Sequence, residues 1–213
     1  THAAPLLTLV SGGRRYPATA MSLAQAKDGK RLTLQFAPTA VRIVVRVRER
    51  PTHLVLDIVS ATPAALVEAV VWGPYPTTIT KTIGEVIGVV RDGTTSLGMQ
   101  VLNLKTLGGD LPNNEGSTWA RGIAAVAIPG GSAVQAYAIN RDRERRVDAW
   151  GGNQKNMPVP AIPGETVVGS SIALFTSPEP ETLDRLERIE LAEGLPHPTI
   201  DGVWVKKSAI FGR

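Results

Sequence analysis

Alternation between apolar and polar positions dominates the middle of the chain. Residues 31–36 read Arg-Leu-Thr-Leu-Gln-Phe, placing Leu32, Leu34 and Phe36 on one face before Pro38 breaks the run. Val41, Ile43, Val45 and Val47 then alternate with Arg42, Val44, Arg46 and Arg48. Successive side chains of a strand point to opposite faces, so both runs predict half-buried strands. Residues 53–60 predict a third, with Leu54, Leu56 and Ile58 opposite Val55, Asp57 and Val59. Further strands are expected at 77–82, 85–91, 96–102, 121–128, 133–139 and 164–175. Pro63 suits a short helical turn, and Val67, Val70 and Val71 favour a strand running into Trp72. Asp92-Gly93 and Pro129-Gly130-Gly131 read as hairpin turns, because glycine tolerates the positive φ of a tight turn. Residues 107–117 and 140–163 are expected to be loop or irregular structure.

One helix stands out. Pro178 and Pro180 precede Glu181 and Asp184, and proline and acids suit a first helical turn, where amides lack partners. Leu183, Leu186 and Ile189 form its apolar stripe, and Gly194 and Pro196 end it. About ten strands and one helix predict an all-β chain, a two-sheet antiparallel β-sandwich with one short C-terminal helix. The boundaries expected are 1–176 for the sandwich and 177–213 for the helix and a linker segment.

Composition agrees with that architecture. The 213 residues include 21 Gly and 16 Pro spread through the chain, as turns between short strands require. The hydrophobic fraction of 43% is enough to fill a core. The chain has no cysteine, which excludes disulfides, thiolate metal sites and cysteine nucleophiles. With His2, His53 and His197 as its only histidines, no metal site is expected, and no motif for a cofactor is present. The net charge of +4 is too small for a nucleic-acid footprint, and no apolar run reaches membrane-spanning length. The start, Thr1-His2-Ala3-Ala4-Pro5, shows no signal-peptide pattern and reads as a trimmed end or an arbitrary boundary.

Candidate chemistry lies in the loops. Paired carboxylates could act on a sugar as acid and base, and Glu85, Asp110 and Glu115 are the leading acids. His197, between Pro196 and Pro198, is a further acid–base candidate beside its plainer role as turn filling. The 4 Trp and 3 Tyr are few, so their placement counts. Trp119, Trp150 and Tyr75 sit beside loop residues where an aromatic ring can stack on a pyranose face, or cover the edge of the core instead. Trp72, after two valines, reads as packing. Two arginine groups, 42–50 and 141–146, suit carboxylates or phosphates, although the second is interleaved with acids that compete for it. Arg141 is the arginine assigned to carbohydrate.

Residues 72–79 (Trp-Gly-Pro-Tyr-Pro-Thr-Thr-Ile), 84–92 (Gly-Glu-Val-Ile-Gly-Val-Val-Arg-Asp), 98–103 (Gly-Met-Gln-Val-Leu-Asn) and 192–202 (Ala-Glu-Gly-Leu-Pro-His-Pro-Thr-Ile-Asp-Gly) together carry a resemblance. Over residues 20–200 the chain resembles the N-terminal β-sandwich, the galactose-mutarotase-like supersandwich, of large bacterial carbohydrate-active enzymes. That resemblance implies a domain that packs against a catalytic barrel and sometimes lends a loop to its substrate pocket. The barrel, with the main acid and base, would be a missing C-terminal catalytic domain, and the final helix would lead into it. It also implies a periplasmic or extracellular setting and an oligosaccharide or polysaccharide partner.

Three functions are therefore carried forward. The first is an accessory, non-catalytic domain of a glycoside hydrolase-like enzyme. The second is a polysaccharide hydrolase or lyase using loop carboxylates, with an arginine receiving a uronate. The third is a structural protein-interaction module. They differ in whether acids and an arginine converge around one aromatic-floored cleft.

Overall fold

In a computed structural model, residues 4–83, 88–111, 125–149 and 154–210 are described. The first strands are β1 (Leu7–Ser11), β2 (Arg14–Pro17), β3 (Ala20–Ala26), β4 (Gly29–Gln35), β5 (Arg42–Glu49) and β6 (Leu54–Thr62). A 3₁₀ turn at Ala64–Leu66 leads into β7 (Ala69–Thr77), then β8 (Thr82–Ile83), β9 (Gly88–Arg91), β10 (Thr95–Val101) and β11 (Leu107–Gly108). After these come β12 (Ala125–Ile128), β13 (Gly131–Ile139), β14 (Arg145–Ala149), β15 (Gln154–Val159) and β16 (Ser171–Pro178). The helix α1 (Thr182–Ala192) and the hairpin β17 (Thr199–Ile200) and β18 (Val203–Trp204) follow.

Two large antiparallel sheets result. The six-stranded sheet runs β11-β13-β7-β1-β2, with β12 also paired to β13. The eight-stranded sheet runs β3-β4-β5-β6-β16-β10-β9-β8. The period-two pattern explains how they pack. Leu7, Leu9, Val70, Trp72, Val134 and Ala136 from the first sheet meet Leu34, Ile43, Val45, Leu56, Ile58, Met99 and Ile172 from the second in one buried core. A strand slipped by one residue would turn these side chains outward, so burial of the shared face fixes the register.

Two glycines show why the backbone needs them. Gly12 and Gly13 have φ of +56° and +69° in the two-residue turn between β1 and β2, where both central positions must be left-handed. Gly98 of β10 pairs with Phe175 of β16, and a Cβ there would lie 2.2 Å from the Phe175 ring. The ring thus lies across the glycine on the outer face of the eight-stranded sheet. Leu186, Ile189 and Trp204 pack over it with Val89 and Ala173.

Several expectations need correcting. The strand expected to run into Trp72 continues to Thr77, where the Thr77 hydroxyl meets the Ser132 hydroxyl at 2.7 Å, and no separate strand fills 77–82: residues 78–81 are bend or coil, and pairing resumes at Thr82–Ile83. The stretch 140–163 contains the hairpin β14–β15. The helix buries Thr182, Leu186, Ile189 and Glu190 and leaves Leu183 40% exposed. Its inward face is set at one end by Thr182, whose hydroxyl donates to Ser96 Oγ at 2.8 Å. At the other end, Lys206 pairs with the buried Glu190.

Candidate functional site

The arginines of β5 alternate with apolar residues, so Arg46 and Arg48 project from the outer face of the eight-stranded sheet. They bracket Asp57, the one charge in the apolar run of β6, which is only 7% exposed. Arg46 Nε and Arg48 Nε donate to Asp57 Oδ2 at 3.1 and 3.0 Å, and the Ser171 hydroxyl donates to Oδ1 at 2.6 Å. Arg46 also reaches Asp28 at 2.9 Å. Glu193, just past α1, pairs with Arg50 at 3.2 Å and with Arg48 at 3.7 Å. Burial alone would raise the Asp57 carboxyl. Hydrogen bonds from Arg48 and Ser171, with the charges beside it, hold it below the ordinary carboxylate range. These guanidinium forks serve carboxylates of the chain itself, joining β5, β6, β16 and the end of α1.

His53 belongs to this lattice, with its side chain fully buried. Its Nε2 lies 3.2 Å from Glu193 Oε1, and a carboxylate only accepts, so Nε2 carries the proton. Nδ1 then accepts from the Thr52 hydroxyl at 2.8 Å. Burial pushes the imidazole below its ordinary value; Glu193 opposes this, while Arg50 and Arg48 add to it. In the unfolded chain His53 takes a proton near pH ~6.5, whereas the folded protein resists it to lower pH. Stability is therefore expected to fall as pH drops below about 6.5, by at most ~1.4 kcal/mol per pH unit from this residue. Urea midpoints at pH 7.5, 6 and 5 should show that fall in the wild type and a smaller one in His53→Gln. Equal slopes in the two proteins would sink the assignment.

The second arginine group lies elsewhere. Arg143, Arg145 and Arg146 line a cleft of about 710 Å³ beside the β14–β15 hairpin, with Glu68, Glu144 and an apolar wall of Pro158, Val159 and Pro160. Glu68 comes from the segment before β7. Its Oε2 accepts the Gly13 amide at 2.9 Å, and its Oε1 pairs with Arg143 at 3.0 Å. Burial would raise the Glu68 carboxyl, but these contacts bring it below its ordinary value. Arg146 is exposed and donates to the carbonyl oxygen of Asn156 at 3.0 Å.

The remaining candidates are dispersed. Asp110 pairs with Arg15 of β2 at 2.8 Å, beside the six-stranded sheet. His197 stacks on Trp204, their ring centroids 5.6 Å apart, and meets Glu187 of α1 at 3.0 Å, over the other sheet. Tyr75 is half-buried and donates to the Leu6 carbonyl at 2.7 Å. It also lines a separate cleft of about 430 Å³ with Leu54, Leu97, Leu174, Arg50 and Arg185. Arg141 donates its amide to the Glu165 carbonyl at 2.7 Å, two residues before the arginine cleft begins. Glu85, Glu115, Trp119 and Trp150 lie outside the described residues.

Asp57, Glu193 and Glu68 were absent from the sequence-based site, yet each organises a cluster. Asp57 carried a signal, a lone acid in an apolar strand next to a strand with alternating arginines. Glu68 carried none. Among the described residues, no group of three or more His, Asp or Glu is placed to hold a metal ion. No helix described is long and apolar enough to cross a membrane. No family model, curated protein or solved structure matches the chain.

Proposed function

We propose that this chain is an accessory, non-catalytic β-sandwich domain of a bacterial carbohydrate-processing enzyme, one that supports a catalytic barrel and contacts carbohydrate. The observation carrying the non-catalytic reading is the separation of Asp110 and His197. Asp110 is tied into an ion pair and His197 into a hydrogen bond, each on the outside of a different sheet. Acid–base work on a glycosidic bond needs two groups flanking one sugar, and these two flank the whole sandwich. The resemblance in residues 72–79 and 192–202 supports the carbohydrate context, and the open cleft with its apolar wall supports a contact surface.

Tryptophan fluorescence tests this reading cleanly. Trp72 and Trp204 are buried, at 0% and 1% exposure, so the Trp119 and Trp150 substitutions are what assign a ligand-dependent change to a tryptophan. Titration with neutral and uronate-containing oligosaccharides is expected to give saturable quenching that is lost in Trp119→Ala or Trp150→Ala. A flat response at millimolar ligand would remove the carbohydrate contact. Release of reducing ends by the chain alone would overturn the non-catalytic reading.

A further inference from the structure

We infer that the cleft beside the β14–β15 hairpin is a binding site for an oxyanion, the carboxylate of an acidic sugar, and that Glu68 is a built-in competitor for it. This deepens the reading above and rests on it only for the sugar; the anion site stands on the cleft itself.

The chain's own carboxylate displays the chemistry. Glu68 is gripped from two sides, by the Gly13 amide in the left-handed turn and by the Arg143 guanidinium. Consecutive amides in such a turn and a planar guanidinium are both suited to carboxylate oxygens. Arg145 and Arg146 line the same cleft, and the described partner of Arg146 is a neutral carbonyl oxygen. This contrasts with the lattice on the eight-stranded sheet, where Arg46, Arg48 and Arg50 each face a carboxylate. Arg146 thus offers a fork that no acid of the described chain neutralises. Pro158, Val159 and Pro160 give the opposite side an apolar surface, against which the face of a pyranose ring can lie. A cleft of about 710 Å³ holds a di- or trisaccharide-sized ligand.

The role of Glu68 makes the idea specific. An incoming carboxylate is repelled by Glu68 and must share Arg143 with it. Removing that negative charge while keeping the side-chain shape therefore strengthens binding, whereas a purely structural Glu68 would give no gain.

Isothermal titration with trigalacturonate, its neutral counterpart galactotriose, and sodium sulfate tests this on the full chain. Trigalacturonate is expected to bind saturably and galactotriose to bind at least about tenfold more weakly. Arg143→Gln and Arg146→Gln should each weaken trigalacturonate about tenfold, and Glu68→Gln should tighten it several-fold. If Arg143→Gln fails to fold, Arg143→Lys keeps the charge and loses the fork, and is expected to show the same direction. Sulfate binding that responds to these variants, without any sugar binding, upholds the anion site and overturns the sugar reading. Equal affinity for the charged and neutral trisaccharides, or no effect of Glu68→Gln and Arg146→Gln, overturns the site.

Discussion

Trp72→Ala is expected to destabilise the protein by about 4 kcal/mol, the scale of deleting a large aromatic side chain from a packed core. The indole is fully buried between the two sheets and belongs to the main cluster. It also begins a relay of hydrogen bonds. Its Nε1–H donates to Ser170 Oγ at 2.9 Å, Ser170 meets Thr106 Oγ1 at 2.9 Å, and Thr106 donates to Asn103 Oδ1 at 3.2 Å. Alanine leaves a cavity and takes away the donor that satisfies Ser170, so both losses fall together. For a chain of this size the melting temperature should drop on the order of 10 °C. Trp72→Phe fills most of the space and lacks the donor, so it should recover more than half of the loss. Calorimetry on the three proteins checks this, and a Trp72→Ala protein melting within 2 °C of wild type would contradict the packing described (a change far below the ~10 °C expected).

Asp57→Ala is expected to cost about 3 kcal/mol, because it leaves the arginines of β5 facing each other without their shared carboxylate. The pair is partly solvent-reachable, with Arg46 29% and Arg48 24% exposed, which keeps the figure at the low end for buried ion pairs. Asp57→Asn keeps an oxygen for Ser171 and one arginine and should lose less. Acid adds a second signature. Because the folded Asp57 carboxyl lies below its ordinary value, its contribution is complete at neutral pH. It is lost as pH falls below about 4. Denaturation series at pH 7, 4 and 3 should therefore converge for wild type and Asp57→Ala as the medium becomes acidic. A constant gap between them would rule out the charge as its source.

The sequence was most readable where one strand face is apolar and the other polar. β4 and β5 were visible for that reason, and Trp72 was recognised as packing from the valines before it. β1 escapes the alternation rule because Leu7, Thr8, Leu9 and Val10 are all buried, so the alternation that would announce a strand is blurred. The β14–β15 hairpin carries no strand signal because polar or charged residues sit on both faces, from Arg145 and Arg146 to Gln154 and Lys155. The helix is legible, but its buried face differs from the apolar stripe: Leu183 is 40% exposed and Glu190 is buried. Only the contact with Lys206 makes a buried glutamate acceptable there. The charge clusters were half-readable. Arginine positions follow from strand alternation, but their acids arrive from far along the chain, as Glu193 does for Arg50 across 143 residues. No local period records such a meeting. The convergence argument rests on the same unknown: Asp110 and His197 lie over different sheets, and Glu85, Glu115, Trp119 and Trp150 lie outside the described residues.

The place of β16 bears on how the molecule assembles in time. It lies between β6 and β10 in the eight-stranded sheet, and it meets β6 at Asp57 and Ser171, 114 residues apart. While the chain is being synthesised, β3–β6 and β8–β10 are two separate ribbons, each with an unsatisfied edge toward the gap. The sheet closes only after residues 171–178 leave the ribosome and insert between them. Loop closure over that distance delays the rewarding contacts, so the eight-stranded sheet is expected to form slowly and only once β16 has been made. The interval before insertion is when the nascent chain is most exposed to association with its neighbours.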